Sequence, residues 1–521
     1  MRHLLSSPSI QAEGDLPTVD DIRYVAPTAT GLAPNGKTVL SLDQAIGNLN
    51  RTGAIWDVGP NGQITYAFID KPLNGLYNSP KEAYLGSLAE GSMPFTEEQR
   101  VAAREALGLW DDLIAPSFVE KNGRGAADIL FTNTNSGPGQ AAAFTPFLNG
   151  GSGKYGKVQG DIFVNQDEDS NFDLDNGGYG QTTLVHELGH TIGLSHTGDY
   201  NAGNGGPITY AKDAIFYQDT YQFSIMSYFS HGNSNAFGYV NWATGGFYQT
   251  PQTPMVHDIA AVQAMYGADL TTRTGDTTYG FNSNAGRSVY DFTSNKNPFL
   301  SIYDAGGNDT LDLSGFTGGR ITLDLRPGAF STGYNYGDKA VLDKAVGVTL
   351  SQAQWNALYD GRLGGNPGFL SDNIGIAYNT IIENGRTGAG NDVLQGNDVA
   401  NRLDAGAGSD ILNGGKGNDT LIGGAGADFF VISDRGGIDT ILDFERGLDK
   451  LDLKTFEPRS APGDQAMTWI GNAAFSGQAG QVRQFVQNGL NIVAGDVDGD
   501  GVADFQVVVG SQPIGSGDII F

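Results

Sequence analysis

The stretch that decides the C-terminal fold reads TGAGNDVLQ from residue 387, GNDVANRLD from 396, AGAGSDILN from 405, GGKGNDTLI from 414 and GGAGADFFV from 423. Aligned in nines, the sixth position is Asp392, Asn401, Asp410, Asp419 and Asp428, and the eighth is Leu394, Leu403, Leu412, Leu421 and Phe430. DAGGNDTLD at 304–312 fits the same frame with Asp309 and Leu311. The period is too short for helical repeats, and a flexible linker has no reason to place an aliphatic side chain at every ninth residue. The pattern predicts an all-β parallel roll. Glycines allow turns with positive φ whose carbonyl oxygens point to one place, and each Asp adds a hard, charged oxygen. Stacking the turns piles carboxylates over one another, so Ca²⁺ between turns is the expected counter-charge. The turn from 396 departs at Val399 and Asn401 and is expected to offer a weaker ligand set.

Upstream, from about residue 38 to 272, the text is that of a mixed α+β domain. ITYAFID at 64–70 and DILF at 128–131 read as strands. Thr96 and Gln99 form a capping box ahead of a helix whose Ala103, Ala106, Leu107, Trp110 and Leu113 share a face. LVHELGHTIGLSH at 184–196 reads as a helix ending near Gly193, and PMVHDIAAVQAMYG at 254–267 as a helix opened by proline and closed by glycine. Residues 1–37, with Pro8, Pro17, Pro27 and Pro34 and no sustained period, read as a loosely ordered leader and propeptide. An excursion at 335–375 interrupts the Gly/Asp text and carries a short predicted helix at 350–361.

Composition narrows the function. The 521 residues include 77 glycines, about 15 per cent and roughly twice the usual share, which the repeats explain. A net charge of −28 repels nucleic acid and anionic membrane, so neither binding nucleic acid nor stable membrane insertion is expected. There is no cysteine, hence no disulfide, thiolate ligand or cysteine nucleophile. No apolar run approaches the length of a membrane span, and the two-leucine core of the N-terminus is too short for a signal peptide.

The chemistry is concentrated in His186-Glu187-x-x-His190, which puts two imidazoles one helical turn apart on one face, able to reach a single Zn²⁺. The string continues as Gly193-x-x-His196, so that three of the six histidines stand in one motif. Glu187 flanks the metal as a general base. The remaining histidines, His3, His231 and His257, lack a second ligand at metal spacing and are expected at the surface. Asp496, Asp498, Asp500, Gly501 and Asp504 match the start of an EF-hand loop, but Val507 stands where the bidentate Glu belongs, leaving calcium and a plain Asp-rich turn equally open.

With Ser224-Ile225-Met226-Ser227-Tyr228 following His196, the chain resembles the serralysin family, in which a metzincin zinc protease domain precedes a calcium-binding RTX β-roll. GLSHTGDYNAG at 193–203, DIAAVQAMYGADLTTRTGDTTYGFNSN at 258–284 and IYDAGGNDTLDLSGF at 302–316 carry the likeness. Thr197 departs from it, since family members usually have Pro after the third histidine. The resemblance implies one catalytic zinc on His186, His190 and His196, with Tyr228 as a detachable ligand or transition-state donor and Met226 as the floor. It further implies an edge strand at Ala141-Ala142-Ala143-Phe144 that pairs with substrate backbone. Structural calcium ions are implied on Arg273, Gly275, Thr277, Asp304, Gly306, Asp309 and Glu383. The same likeness adds Gly388, Gly390, Asp392, Gly406, Gly408, Asp410, Gly415, Gly417, Asp419, Gly424, Gly426 and Asp428 of the nonapeptides.

The C-terminal Gly517-Asp518-Ile519-Ile520-Phe521 resembles the signal read by type I secretion machinery. The expected protein is therefore a secreted, extracellular bacterial zinc endopeptidase whose partners are protein or peptide substrates, the secretion machinery and a proteinaceous inhibitor. An adhesin with a vestigial metal site would not need Glu187. A matrixin with a cysteine-switch leader is excluded by the absence of cysteine.

Overall fold

The computed structural model describes residues 24–73, 83–122, 127–146, 158–201, 206–234, 240–241, 246–247, 250–317, 319–334, 351, 371–456 and 466–521. His3 and the helix expected at 350–361 fall outside these residues, apart from Ser351.

The first half is an α+β unit. Its sheet runs Ser117–Glu120, Gln63–Phe68, Ile129–Thr134, Ile162–Asn165 and Ala141–Ala143, the first four parallel and the last antiparallel at one edge, with the short Ser92–Met93 also antiparallel to Ile129–Thr134. Helix Glu97–Asp111 starts where predicted, because Thr96 accepts the Gln99 N–H and Gln99 in turn accepts the Thr96 N–H. Its Ala103, Ala106, Leu107, Trp110 and, just past its end, Leu113 are buried. Trp110 donates from Nε1 to the Val185 carbonyl at 3.0 Å, joining this helix to Tyr179–Thr191 behind the metal motif. The later helix Val256–Tyr266 ends at Gly267, φ 80°, as its sequence foretold.

Two expectations need correction. Residues 24–37 are not loosely ordered: Gly31–Leu32 pairs with Thr38–Val39, Val25 packs against a buried group that includes Phe223 and Met255, and Tyr24 donates to the Pro327 carbonyl at 3.2 Å. Phe223, Met255 and Pro327 lie far along the chain, so no local period could reveal them. His231 and His257 are likewise buried, not superficial, at 7% and 2% exposure. The His257 ring lies between Phe223 and Tyr378, and His231 meets Phe299 edge-on, so both fill the seam between the two halves.

The second half is the roll. Short parallel strands form two sheets, one running Thr278–Gly280, Thr310–Asp312, Asn384–Arg386, Arg402–Asp404, Thr420–Ile422 and Ile438–Ile441. The other runs Thr322–Asp324, Val393–Gln395, Ile411–Asn413, Phe429–Val431, Lys450–Asp452 and Ile519–Ile520. Each nonapeptide supplies one strand, alternately to the two sheets, and Leu394, Leu403, Leu412, Leu421 and Phe430 are fully buried between them. The turns stack so closely that a Cβ on Gly408, φ 151°, would lie 1.6 Å from the Gly390 carbonyl oxygen. The first sheet continues through the antiparallel strands Phe505–Val508, Leu490–Asp496 and Gln481–Gln487 and ends at Thr468–Trp469.

The halves are locked by charge as well as packing. Asp112, at the C-terminal end of helix Glu97–Asp111, is bridged by Arg273 at 2.7 Å and Arg287 at 2.6 Å, and Arg287 also donates to the Gly108 carbonyl.

Candidate metal centre and calcium ladders

Helix Tyr179–Thr191 carries His186 and His190 on one face, and the chain then reverses at Gly193, φ 105°, where a Cβ would meet the Ala54 carbonyl at 2.2 Å. That reversal returns His196 to the same place. One ring nitrogen from each of His186, His190 and His196 lies within 4.8 Å of the other two. Each Nδ1 faces a backbone carbonyl: His186 that of Ile225 at 2.8 Å, His190 that of Leu194 at 2.7 Å and His196 that of Tyr200 at 2.9 Å. A carbonyl can only accept, so the proton of each neutral ring sits on Nδ1 and the Nε2 lone pairs are left facing one another. The 3.1 Å approach of His190 Nε2 to His196 Nε2 is then a contact between two acceptors, which a cation relieves. Burial holds the three rings neutral, pushing them down to about 4, about 3 and about 2, the state in which imidazole ligates a metal. The donor set fits Zn²⁺.

Glu187 is on the same helix, next to His186 in the chain. It is 7% exposed, its Oε2 is buried with no partner, and burial pushes the carboxyl up to about 8 while a backbone hydrogen bond from Ala143 pulls it down. Ala143 belongs to the edge strand Ala141–Ala143, so the strand named in the sequence borders the acid. Tyr228 is half-buried with its ring centroid 4.4 Å from that of His196. Met226 is fully buried beneath the helix; a Cβ at Gly189 would meet its Sδ at 2.6 Å, which explains the glycine inside the motif.

One anchor of this site escapes sequence reading. Asp258 accepts from Ser224 Oγ at 2.6 Å and from the Ile225 and Met255 N–H groups at 2.7 and 2.8 Å, fixing the turn whose Ile225 carbonyl orients His186. Burial raises its carboxyl to about 7 against these donors. Its position at the start of a helix was visible, but its long-range partners were not.

In the roll the predicted acids form two ladders. On one side the N–H of Asp392 donates to Asp410, that of Asp410 to Asp428 and that of Asp428 to Asp449. On the other, Thr277 donates to Asp309, Asp309 to Glu383, Asn401 to Asp419 and Asp419 to Asp439. Asp304 receives the Gly306 N–H and the Tyr279 hydroxyl, and Arg273 holds φ 48°, rare for a residue with a side chain. Within each rung one carboxylate oxygen is bonded, yet Oδ2 of Asp309, Asp392, Asp410 and Asp419 is buried with no partner. Desolvation by burial raises these carboxyls to about 7, 6, 8 and 6 respectively. Orphaned hard oxygens in rows fit Ca²⁺.

Asp439 and Asp449 extend the ladders beyond the residues picked from sequence. Both keep the Asp-x-aliphatic signature, but their intervals of 20 and 21 residues break the regular 18. Asp496, Asp498 and Asp504 also come together, while Asp500 stands outside the group and Val507 is buried in a strand.

The fold and the triad define a zinc metalloendopeptidase of the metzincin type. Comparison with known proteins agrees: a family model described as Peptidase M10 serralysin C terminal matches residues 268–360 and 348–521, and one described as Matrixin matches 89–203. Metallopeptidase AprA of Pseudomonas marginalis is 38% identical over 513 residues, covering 96% of each chain. Serralysin G of Dickeya chrysanthemi is 36% identical over 437 residues, covering 81% of this chain and 79% of its own. Serralysin of Proteus mirabilis is 34% identical over 471 residues, covering 84% of each. The chain belongs to the serralysin family.

Proposed function

We propose that this metalloendopeptidase acts outside the cell on protein substrates, with His186, His190 and His196 holding the zinc and Tyr228 as a detachable further ligand. The observation that carries the reading is the convergence of three Nε2 lone pairs beside a buried carboxylate with one unpartnered oxygen. Zinc bound there supplies a water of lowered pKa and polarises the scissile carbonyl. Glu187 takes the proton of the attacking water and passes it to the leaving amine. The Tyr228 hydroxyl donates to the oxyanion of the tetrahedral intermediate. Substrate backbone pairs with the edge strand Ala141–Ala143 beside Glu187.

The same reading gives residues 38–272 to the protease and 273–521 to a calcium-stabilised roll, with the start of the chain as propeptide. Type I export threads an unfolded chain, and low calcium inside the cell leaves the ladders self-repelling. Calcium outside then binds only the folded roll and supplies folding free energy. Among the described residues no helix is long and apolar enough to cross a membrane. Casein hydrolysis by the purified chain tests the enzymatic core of this proposal. Activity should vanish when zinc is chelated and return when zinc is restored, and hydrolysis that persists without zinc would overturn it.

A further inference from the structure

Behind the third histidine lies a buried polar knot that the reaction above does not use. Asp219 is fully buried, and a single oxygen, Oδ1, accepts from three hydroxyls: Tyr200 at 2.7 Å, Ser227 at 2.8 Å, and Thr197. Thr197 and Tyr200 also touch each other, oxygen to oxygen, at 2.6 Å. These two hydroxyls have two hydrogens for three contacts, so in every arrangement the carboxylate is the acceptor at which the chain of bonds ends. Its other oxygen, Oδ2, is buried with no hydrogen-bond partner, which leaves the hold on Asp219 entirely to those hydroxyls.

The three donors come from both sides of the metal centre. Thr197 follows the ligand His196, and Tyr200 supplies the carbonyl that receives His196 Nδ1 while its ring stacks on the imidazole, with an interplanar angle of 11°. Ser227 precedes Tyr228, and its hydroxyl also receives the Phe229 N–H at 3.1 Å, so it grips the backbone on both sides of the tyrosine. The Tyr228 ring meets Tyr200 at 5.2 Å and His196 at 4.4 Å.

We propose that Asp219, held by Thr197, is a positioning residue that sets the Tyr228 hydroxyl against the third histidine for the transition state. It touches neither substrate nor metal and acts through Ser227 and Tyr200. The inference rests on the role given to Tyr228 above.

The test is a double-mutant cycle on the full zinc- and calcium-loaded chain, with metal content measured for every variant. Tyr228→Phe alone should lower kcat with little change in KM. Thr197→Val and Asp219→Asn should each lower kcat about tenfold with KM and zinc content kept, the size expected for one lost hydrogen bond to a charged group. Thr197→Ser, which keeps the hydroxyl, should restore the parent kcat. In the Tyr228→Phe background, Thr197→Val should have no further effect. If Tyr228→Phe leaves kcat unchanged, the role of Tyr228 fails and this inference with it. If Tyr228→Phe lowers kcat but Thr197→Val multiplies the loss by its own full factor, only the present inference is overturned. Loss of zinc from Thr197→Val or Asp219→Asn, or an unchanged kcat in both, also overturns it.

Discussion

At the scale of the residue, the metal motif works because every side chain is held by something outside it. The imidazoles are fixed by three carbonyls, Gly189 makes room for Met226, and Glu187 is buried with an oxygen left over. Because Glu187 is assigned to proton transfer and not to ligation, Glu187→Ala should abolish peptidase activity while zinc stays near one equivalent by elemental analysis. Zinc lost together with activity would move Glu187 into the metal shell. The placing of His186 and His190 together was legible from spacing alone, since a helix dictates which residues share a face, and the glycine at 193 announced the reversal that returns His196 to them. Asp219 and Asp258 were not legible, because each acts through partners that only the fold brings near. The buried His231 and His257 misled for the same reason: without ligand spacing they looked idle, and their aromatic neighbours Phe299 and Tyr378 belong to the other half of the chain.

At the scale of the element, the roll depends on glycines where turns touch. Gly408→Ala puts a methyl into the Gly390 carbonyl and holds a φ of 151° against its preference, so it should cost at least about 3 kcal/mol. Thermal melts with calcium present would reveal it, and an unchanged midpoint would show that the stack yields freely. The ladder acids also fix a pH dependence for the calcium-free chain. Their folded carboxyls titrate near 6 to 8, above the unfolded value of 3.8, so the folded roll binds more protons than the unfolded chain between these limits. Stability from these groups is complete below pH 3.8 and is lost as pH rises through 6 to 8. Without calcium the roll should therefore melt lower at pH 8 than at pH 5, and the gain on adding calcium should be larger at pH 8. Circular dichroism melts at both pH values check this, and a calcium-free midpoint that rises with pH would contradict it. The nine-residue period disclosed this element almost completely, up to the point where the intervals lengthened before Asp439 and Asp449.

At the scale of the whole molecule, the segment proposed as the export signal is also the last strand of the roll. Ile519–Ile520 pairs with Leu451–Asp452, and Asp518 receives the Gly447 and Gly515 N–H groups. Removing residues 517–521 should keep the protein inside a type I secretion host and, in the refolded chain, lower the calcium-loaded melting point. Normal appearance of the truncated chain in the medium would refute the export signal. A second consequence belongs to the lock formed by Asp112, Arg273 and Arg287. Two guanidiniums of the roll neutralise a carboxylate at the end of a protease helix, and one apolar core runs without a break from Leu49 to Ile519. The break in composition near residue 272 is thus a change of architecture but not a joint. A chimera that grafts this protease onto a foreign roll would strand Asp112 and lay Phe223, Met255 and Val256 open to water, so the two halves would have to be engineered as a single piece.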